Sequence, residues 1–173
     1  MAITISGDSP SFASYQGGVL TAGTAVASTS GTSIDFTSIP SWVKRITVML
    51  AGVSTSGTNN IFIQLGTGAT PTYTSSGYLS NITSGTGTTT AFTAGFGVTT
   101  TTAAVEHSGI LIFCLLNSAT NVWVQNGNTR FSNTGAFQSA GNVTLSGTLT
   151  AIRITTVGGT DTFDAGSINI LYE

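Results

Sequence analysis

Chemistry needs titratable or nucleophilic side chains at defined spacing, and this 173-residue chain offers few: one histidine, one cysteine, six acids and four bases. Glu106 and His107 are adjacent, a pair that would suit general-base work if carboxylate and imidazole met. Neighbouring residues on a strand point to opposite faces, so the spacing defeats that contact. His107 is read instead as a residue held in the fold or against another subunit. Cys114 lies in "ILIFCLL", the most apolar run, where a thiol behaves as a small hydrophobe rather than a nucleophile. Asp161 and Asp164 in "GGTDTFDAG" supply fewer oxygens than Ca²⁺ requires, and are read as turn caps. The glycines of "GTGAT" and "SGTGT" have no lysine and no helix after them, so no phosphate cradle forms. No pair of acids has the look of a glycosidase. The chain is read as a non-enzyme, with no catalytic residue, cofactor or metal.

Half of the positive charge sits side by side, at Lys44 and Arg45 in "IPSWVKRITVML". A polyanion needs several cations on one surface, and two are too few. From Ile46 the run alternates: Ile46, Val48 and Leu50 on one face, Thr47 and Met49 on the other. A buried lysine is costly, so the strand proper starts at Lys44 or Arg45, after Pro40. Asp35, one strand earlier, is the expected ion-pair partner. Arg45 is expected to point outward, towards a neighbouring subunit.

The elements that position these residues are nearly all strands. Only 6% of residues are charged and 40% are hydrophobic, while Ser and Thr make about a third of the chain. That composition is not a disordered one. So few ions give a monomer little colloidal protection, so burial against copies of itself is expected. Formal net charge is -2, which argues against a nucleic-acid partner. No apolar run is long enough to span a bilayer as a helix, and no membrane partner is expected. One cysteine excludes an intrachain disulfide.

Strand-like runs recur at even spacing, separated by Gly, Ser, Thr and Asn. They predict one all-β domain over residues 24–173, an antiparallel, jelly-roll-like β-sandwich. Residues 1–23 form a short irregular N-terminal arm. "VWVQNGNTRF" places Asn126-Gly127 between two apolar runs and predicts a type I′ hairpin. Segments 52–58 and 83–90 read as surface loops. "AIRITTV" puts Ile152, Ile154 and Thr156 together with Arg153 and Thr155 outside, and "GSINILYE" alternates, with Ile168, Ile170 and Tyr172 on one face and Ser167, Asn169 and Leu171 on the other. From Ile110 to Leu116 both faces are apolar, which predicts a strand covered on both sides.

The stretch "TAVASTSGTSIDFTSIPSWVKRITVMLAGVSTSGTNNIFIQLG", the closing "GSINILYE" and the opening "ITISGD" resemble a domain of tail-fibre-like structural proteins from tailed bacteriophages. The similarity runs collinearly over residues 22–173. It implies a non-enzymatic virion protein: a β-sandwich displayed at the particle surface as a homotrimer, assembled in the host cytoplasm. The chain lacks the coiled-coil or repeat shaft of long fibres. Two readings follow. One is a short tail fibre or receptor-binding module, whose partner is a host-surface glycan met by Tyr73, Tyr78, Trp123, Asn128 and Phe131. Aromatic faces stack on sugar rings and amides supply directed hydrogen bonds. The other is a capsid cement or head-decoration protein, anchored by the N-terminal arm through strand addition. Candidate contacts to other subunits or to tail or capsid proteins are Ile3, Ile5, Phe12, Tyr15, Arg45 and His107.

Overall fold

The structure, a computed structural model, describes residues 20–84, 87–100, 102–132 and 135–173. Along the chain the strands are β1 (Thr21–Ala22), β2 (Val26–Ala27), β3 (Ser33–Phe36), β4 (Arg45–Thr55), β5 (Ile61–Thr67), β6 (Thr72–Tyr73), β7 (Leu79–Ser84), β8 (Thr89–Phe92), β9 (Phe96–Val98), β10 (His107–Asn117), β11 (Val122–Phe131), β12 (Gly135–Thr144), β13 (Leu149–Thr156) and β14 (Phe163–Tyr172). They form an antiparallel β-sandwich. The nine-stranded sheet runs β1-β14-β4-β10-β11-β12-β7-β8, with β2 also on β14; the five-stranded sheet runs β3-β13-β5-β6, with β9 also on β5. The chain crosses repeatedly between the sheets, as β3, β4 and β5 show, in jelly-roll-like fashion.

Alternation builds the core. Ile46, Val48 and Leu50 of β4, Leu111 and Phe113 of β10, and Ile168 and Ile170 of β14 all point inward. They meet Ile61, Ile63 and Leu65 of β5 and Ile152 and Ile154 of β13. Each such side chain, fully buried, contributes about 1.5–3 kcal/mol. A smaller cluster of Phe62, Ile82 and Phe92 lies apart from this core. It covers the other face of β5, which explains why β5 reads as apolar on both sides.

Strand β4 begins at Arg45, as the charges of "VKR" require. Its partner is not Asp35. Arg45 pairs with Glu173 at 2.7 Å, while Asp35 takes both arms of the Arg153 fork at 2.8 and 2.7 Å. The strand order puts β13 between β3 and β5, so Asp35 lies opposite Arg153 in register. β14 flanks the start of β4, and the backbone carbonyl of Glu173 accepts from the amides of Lys44 and Arg45.

Three further expectations are corrected. Asn126-Gly127 is not a turn: both lie inside β11, and neither has positive φ. The glycine serves close approach instead. A Cβ on Gly127 would lie 2.5 Å from the Ile110 carbonyl oxygen. The turn before β11 is made by Asn117, whose side-chain oxygen accepts from the amides of Ala119 and Thr120, and by Asn121 at φ 53°. Segment 52–58 is not all loop, because β4 continues through Thr55 with Val53, Ser54 and Thr55 buried. Segment 83–90 is not all loop either, because β7 runs to Ser84 and β8 begins at Thr89.

The run from Ile110 to Leu116 has one face in the core and one in the open. Ile110 is 51% exposed, Ile112 39% and Leu116 68%, and no described part of the chain covers them. Of the residues assigned to the N-terminal arm, Leu20 is exposed and Thr21–Ala22 pair with Tyr172 and Leu171 at the edge of the large sheet. Ile3, Ile5, Phe12 and Tyr15 lie outside the described residues.

Candidate binding surface

The five residues expected to meet a glycan do not converge. Tyr78 and Trp123 are core residues, a correction to the expectation of loop aromatics. Trp123 alternates inward on β11, beside Gln125, and packs in the main cluster. Tyr78 precedes β7 and turns into the sandwich, edge-on to Phe96 at 5.0 Å between centroids. Its hydroxyl accepts the Leu65 amide at 2.9 Å, and burial pushes its pKa up to about 12. Amphipathic tyrosines are often buried this way when the hydroxyl finds a partner.

Tyr73 sits on the outside of the five-stranded sheet, half-buried. One ring face carries the Arg153 guanidinium, 4.0 Å from the centroid. Gly66, its cross-strand partner, lies beneath the ring: a Cβ there would come within 2.9 Å of the Tyr73 Cδ1. The guanidinium thus covers one ring face, and the ring is only part-exposed. Burial first, and then the Asp35 carboxylate, push its hydroxyl up to about 12. Beside this group is a shallow cleft of about 380 Å³, lined by Gln64, Ser75, Arg153, Thr155 and the Gly158-Gly159 pair among others. Gln64 is held by donating to the Ala94 carbonyl, and the Arg153 fork is held by Asp35. The cleft sets hydroxyls and one amide among the apolar Phe62, Ala94 and Val157, with a guanidinium already neutralised by its carboxylate.

Asn128 is exposed on the opposite side of the molecule, on the outer face of β11 between Ile110 and Gln138. Phe131 closes β11, half-buried against Phe137 at 4.7 Å between centroids. Tyr73, Asn128 and Phe131 thus lie on three separate parts of the surface.

Of the assembly candidates, Arg45 is exposed and ion-paired as described. His107 is not a surface contact. It opens β10 with no exposure, facing inward, and its Nε2 lies 3.3 Å from the Thr100 hydroxyl. Its Nδ1 has no partner among the described residues. Burial pushes its pKa down to about 4, so the ring is neutral at physiological pH. Its neighbour Glu106 turns outward to Arg130, 3.7 Å away, as opposite faces of a strand demand.

Asp161 and Asp164 serve the fold. The Asp161 carboxylate accepts from the amide and side-chain nitrogen of Asn59, and Asp164 accepts from the Ser54 hydroxyl. Asp161 ties the approach to β14 to the loop after β4, and Asp164 ties β14 to β4 itself, rather than capping their own turn. Cys114 is half-buried on the outer face of β10. Among the described residues, no three His, Cys, Asp or Glu side chains gather as metal ligands.

What sequence reasoning missed is the exposed apolar centre of the large sheet. The double-faced run 110–116 carried the signal, but it does not say whether the cover comes from the same chain. No family model, no curated protein and no solved structure matches this chain.

Proposed function

We propose that this chain is a non-enzymatic structural protein of a bacteriophage particle, a β-sandwich displayed at the virion surface as a short tail fibre or receptor-binding module. The observation that carries the reading is the placement of the resembling segments. "IPSWVKRITVML" and "GSINILYE", more than a hundred residues apart, lie side by side as β4 and β14, in register from Ser167 to Tyr172. These two segments of the resemblance therefore pair as neighbouring strands whose inward residues hold the core. A surface of hydroxyls and amides with 6% charged residues suits a protein that works packed among other copies. Host attachment would use the cleft beside Arg153.

A second reading, capsid cement or head decoration, is favoured by one observation. Two of the five candidate sugar contacts are in the core and a third has one ring face covered by a guanidinium. The function would then rest on the N-terminal arm binding a capsid subunit. Antibody to this chain, viewed by electron microscopy on particles, separates the two. Label at the tail tip supports attachment; label over the head supports decoration; particles without label overturn both.

A further inference from the structure

The chain leaves the five-stranded sheet at Val98 and enters the nine-stranded sheet at His107. Register places both ends of this crossing at one end of the sandwich. Val98 lies opposite Ile61, where β5 begins; His107 lies opposite Phe131, where β11 finishes, and Val53, near the end of β4. Backbone amides tie the crossing down: Thr100 donates to Asn60 Oδ1 at 2.8 Å, and Ala104 to the Thr55 carbonyl at 3.0 Å. Val105 is tucked in, while Thr102, Ala103 and Ala104 are exposed. Ala104 sits at φ 60°, a left-handed backbone that a residue with a Cβ resists.

His107 is what the crossing closes over. The ring has no exposure, its Nε2 meets the Thr100 hydroxyl at 3.3 Å, and its Nδ1 has no partner among the described residues. No charge shares that interior. From β11 and β4 the residues opposite are Phe131 and Val53. Glu106 and Arg130 turn outward to each other. At the same end, Asp164 is taken up by the Ser54 hydroxyl and Asp161 by Asn59, while Arg45 pairs with Glu173 at the far end of β4. The buried polar side chains of the described residues are hydroxyls, Gln125 and this imidazole, with no acid among them.

An imidazolium needs water or a carboxylate, and the closed crossing supplies neither. The ring stands at the first residue of β10, not in the middle of a strand. Water therefore reaches it once the crossing lifts, with both sheets intact. We propose that the crossing from β9 to β10 is an acid-released latch, in which protonation of His107 lets Thr100 and residues 102–106 leave the end of the sandwich while the sheets stay paired. Lifting gives the Thr100 and Ala104 amides to water and relaxes the backbone at Ala104. It bares Val105 and the end of the core, so the chain presents one surface at neutral pH and another in acid. The sign follows from burial: the closed ring refuses a proton that the open ring takes, so opening is favoured as pH falls below about 6.5 and levels off near 4.

The test is hydrogen exchange of the full chain, read amide by amide by NMR and corrected for the intrinsic rate at each pH. Between pH 6.5 and pH 4.5 the Thr100 and Ala104 amides should lose at least about tenfold in protection. Low urea should not speed their exchange, because a local opening exposes little surface. The Ile152 and Ile154 amides of β13 should stay better protected at both pH values and respond steeply to urea. His107→Gln, neutral throughout, should remove the tenfold change. The urea slope is read on the native chain, which keeps the test intact if His107→Gln folds poorly. Thr100 and Ala104 amides with the urea slope of Ile154 overturn the proposal, because the histidine then acts only through global unfolding. So does a local opening that is the same at both pH values, or one whose pH response survives in His107→Gln.

Discussion

Gly127 and Ile110 lie so close across β11 and β10 that a Cβ on the glycine would stand 2.5 Å from the Ile110 carbonyl oxygen. The Leu111 Cα would be only 2.8 Å away. Both obstacles are backbone, which cannot rotate aside as a long side chain can. Gly127→Ala should therefore force the two central strands apart and cost about 2 kcal/mol or more, within the range of overpacked cores. Urea unfolding measures it. A hairpin glycine at positive φ would also resist alanine, but this one has ordinary φ, so the cost is steric.

His107 predicts a pH dependence with a definite sign. Its folded pKa is pushed down to about 4 by burial, from an ordinary 6.5. Between those values the unfolded chain binds a proton that the folded chain refuses. Stability from this group is thus full above pH 6.5 and falls as pH drops to about 4, then levels off. The whole drop is on the order of 3 kcal/mol, at 1.36 kcal/mol for each pKa unit. Urea midpoints at pH 7.5, 5.5 and 4 should show it. His107→Gln should flatten that part of the profile.

Tyr78 holds the Leu65 amide from inside the core. Tyr78→Phe keeps the ring and its contact with Phe96 but strands a buried N–H. The expected loss is about 1–3 kcal/mol, the cost of an unsatisfied buried donor. Because the ring still fills its space, the denaturant slope should not change. At high pH the raised pKa, about 12, acts against the fold: stability should fall above pH 10, where the unfolded tyrosine ionises first.

The Arg45–Glu173 pair is exposed, with side chains 49% and 30% accessible. Glu173→Gln should change stability by less than about 1 kcal/mol, as surface ion pairs do. Arg153→Lys should cost more, about 1 kcal/mol or slightly above, because it loses both the bidentate fork to Asp35 and the planar cover over Tyr73. Thermal unfolding of the two variants side by side ranks them. An equal loss would mean that the fork adds nothing beyond its charge.

Alternation and composition made part of the fold legible from the residues alone. Ile46, Val48, Leu50, Ile152, Ile154, Ile168 and Ile170 were legible as inward because a strand repeats every two residues and one face must leave water. The start of β4 at Arg45 followed from the cost of burying charge, and the sandwich from many short strands with scarcely a helical signal. Tertiary structure alone decided which strands became neighbours. Asp35 and Arg153 are 118 residues apart, and no local pattern marks them as partners. The same long-range order explains the misread "NG". Local turn preference favours a bend there, but pairing with β10 on one side and β12 on the other gains more by running straight through. It also sent Tyr78 and Trp123 inward, since whether an aromatic faces a ligand or the core depends on what packs over it. And it left Ile110 and Ile112 in the open, because the apolar pattern records that a face must be covered without recording by which molecule.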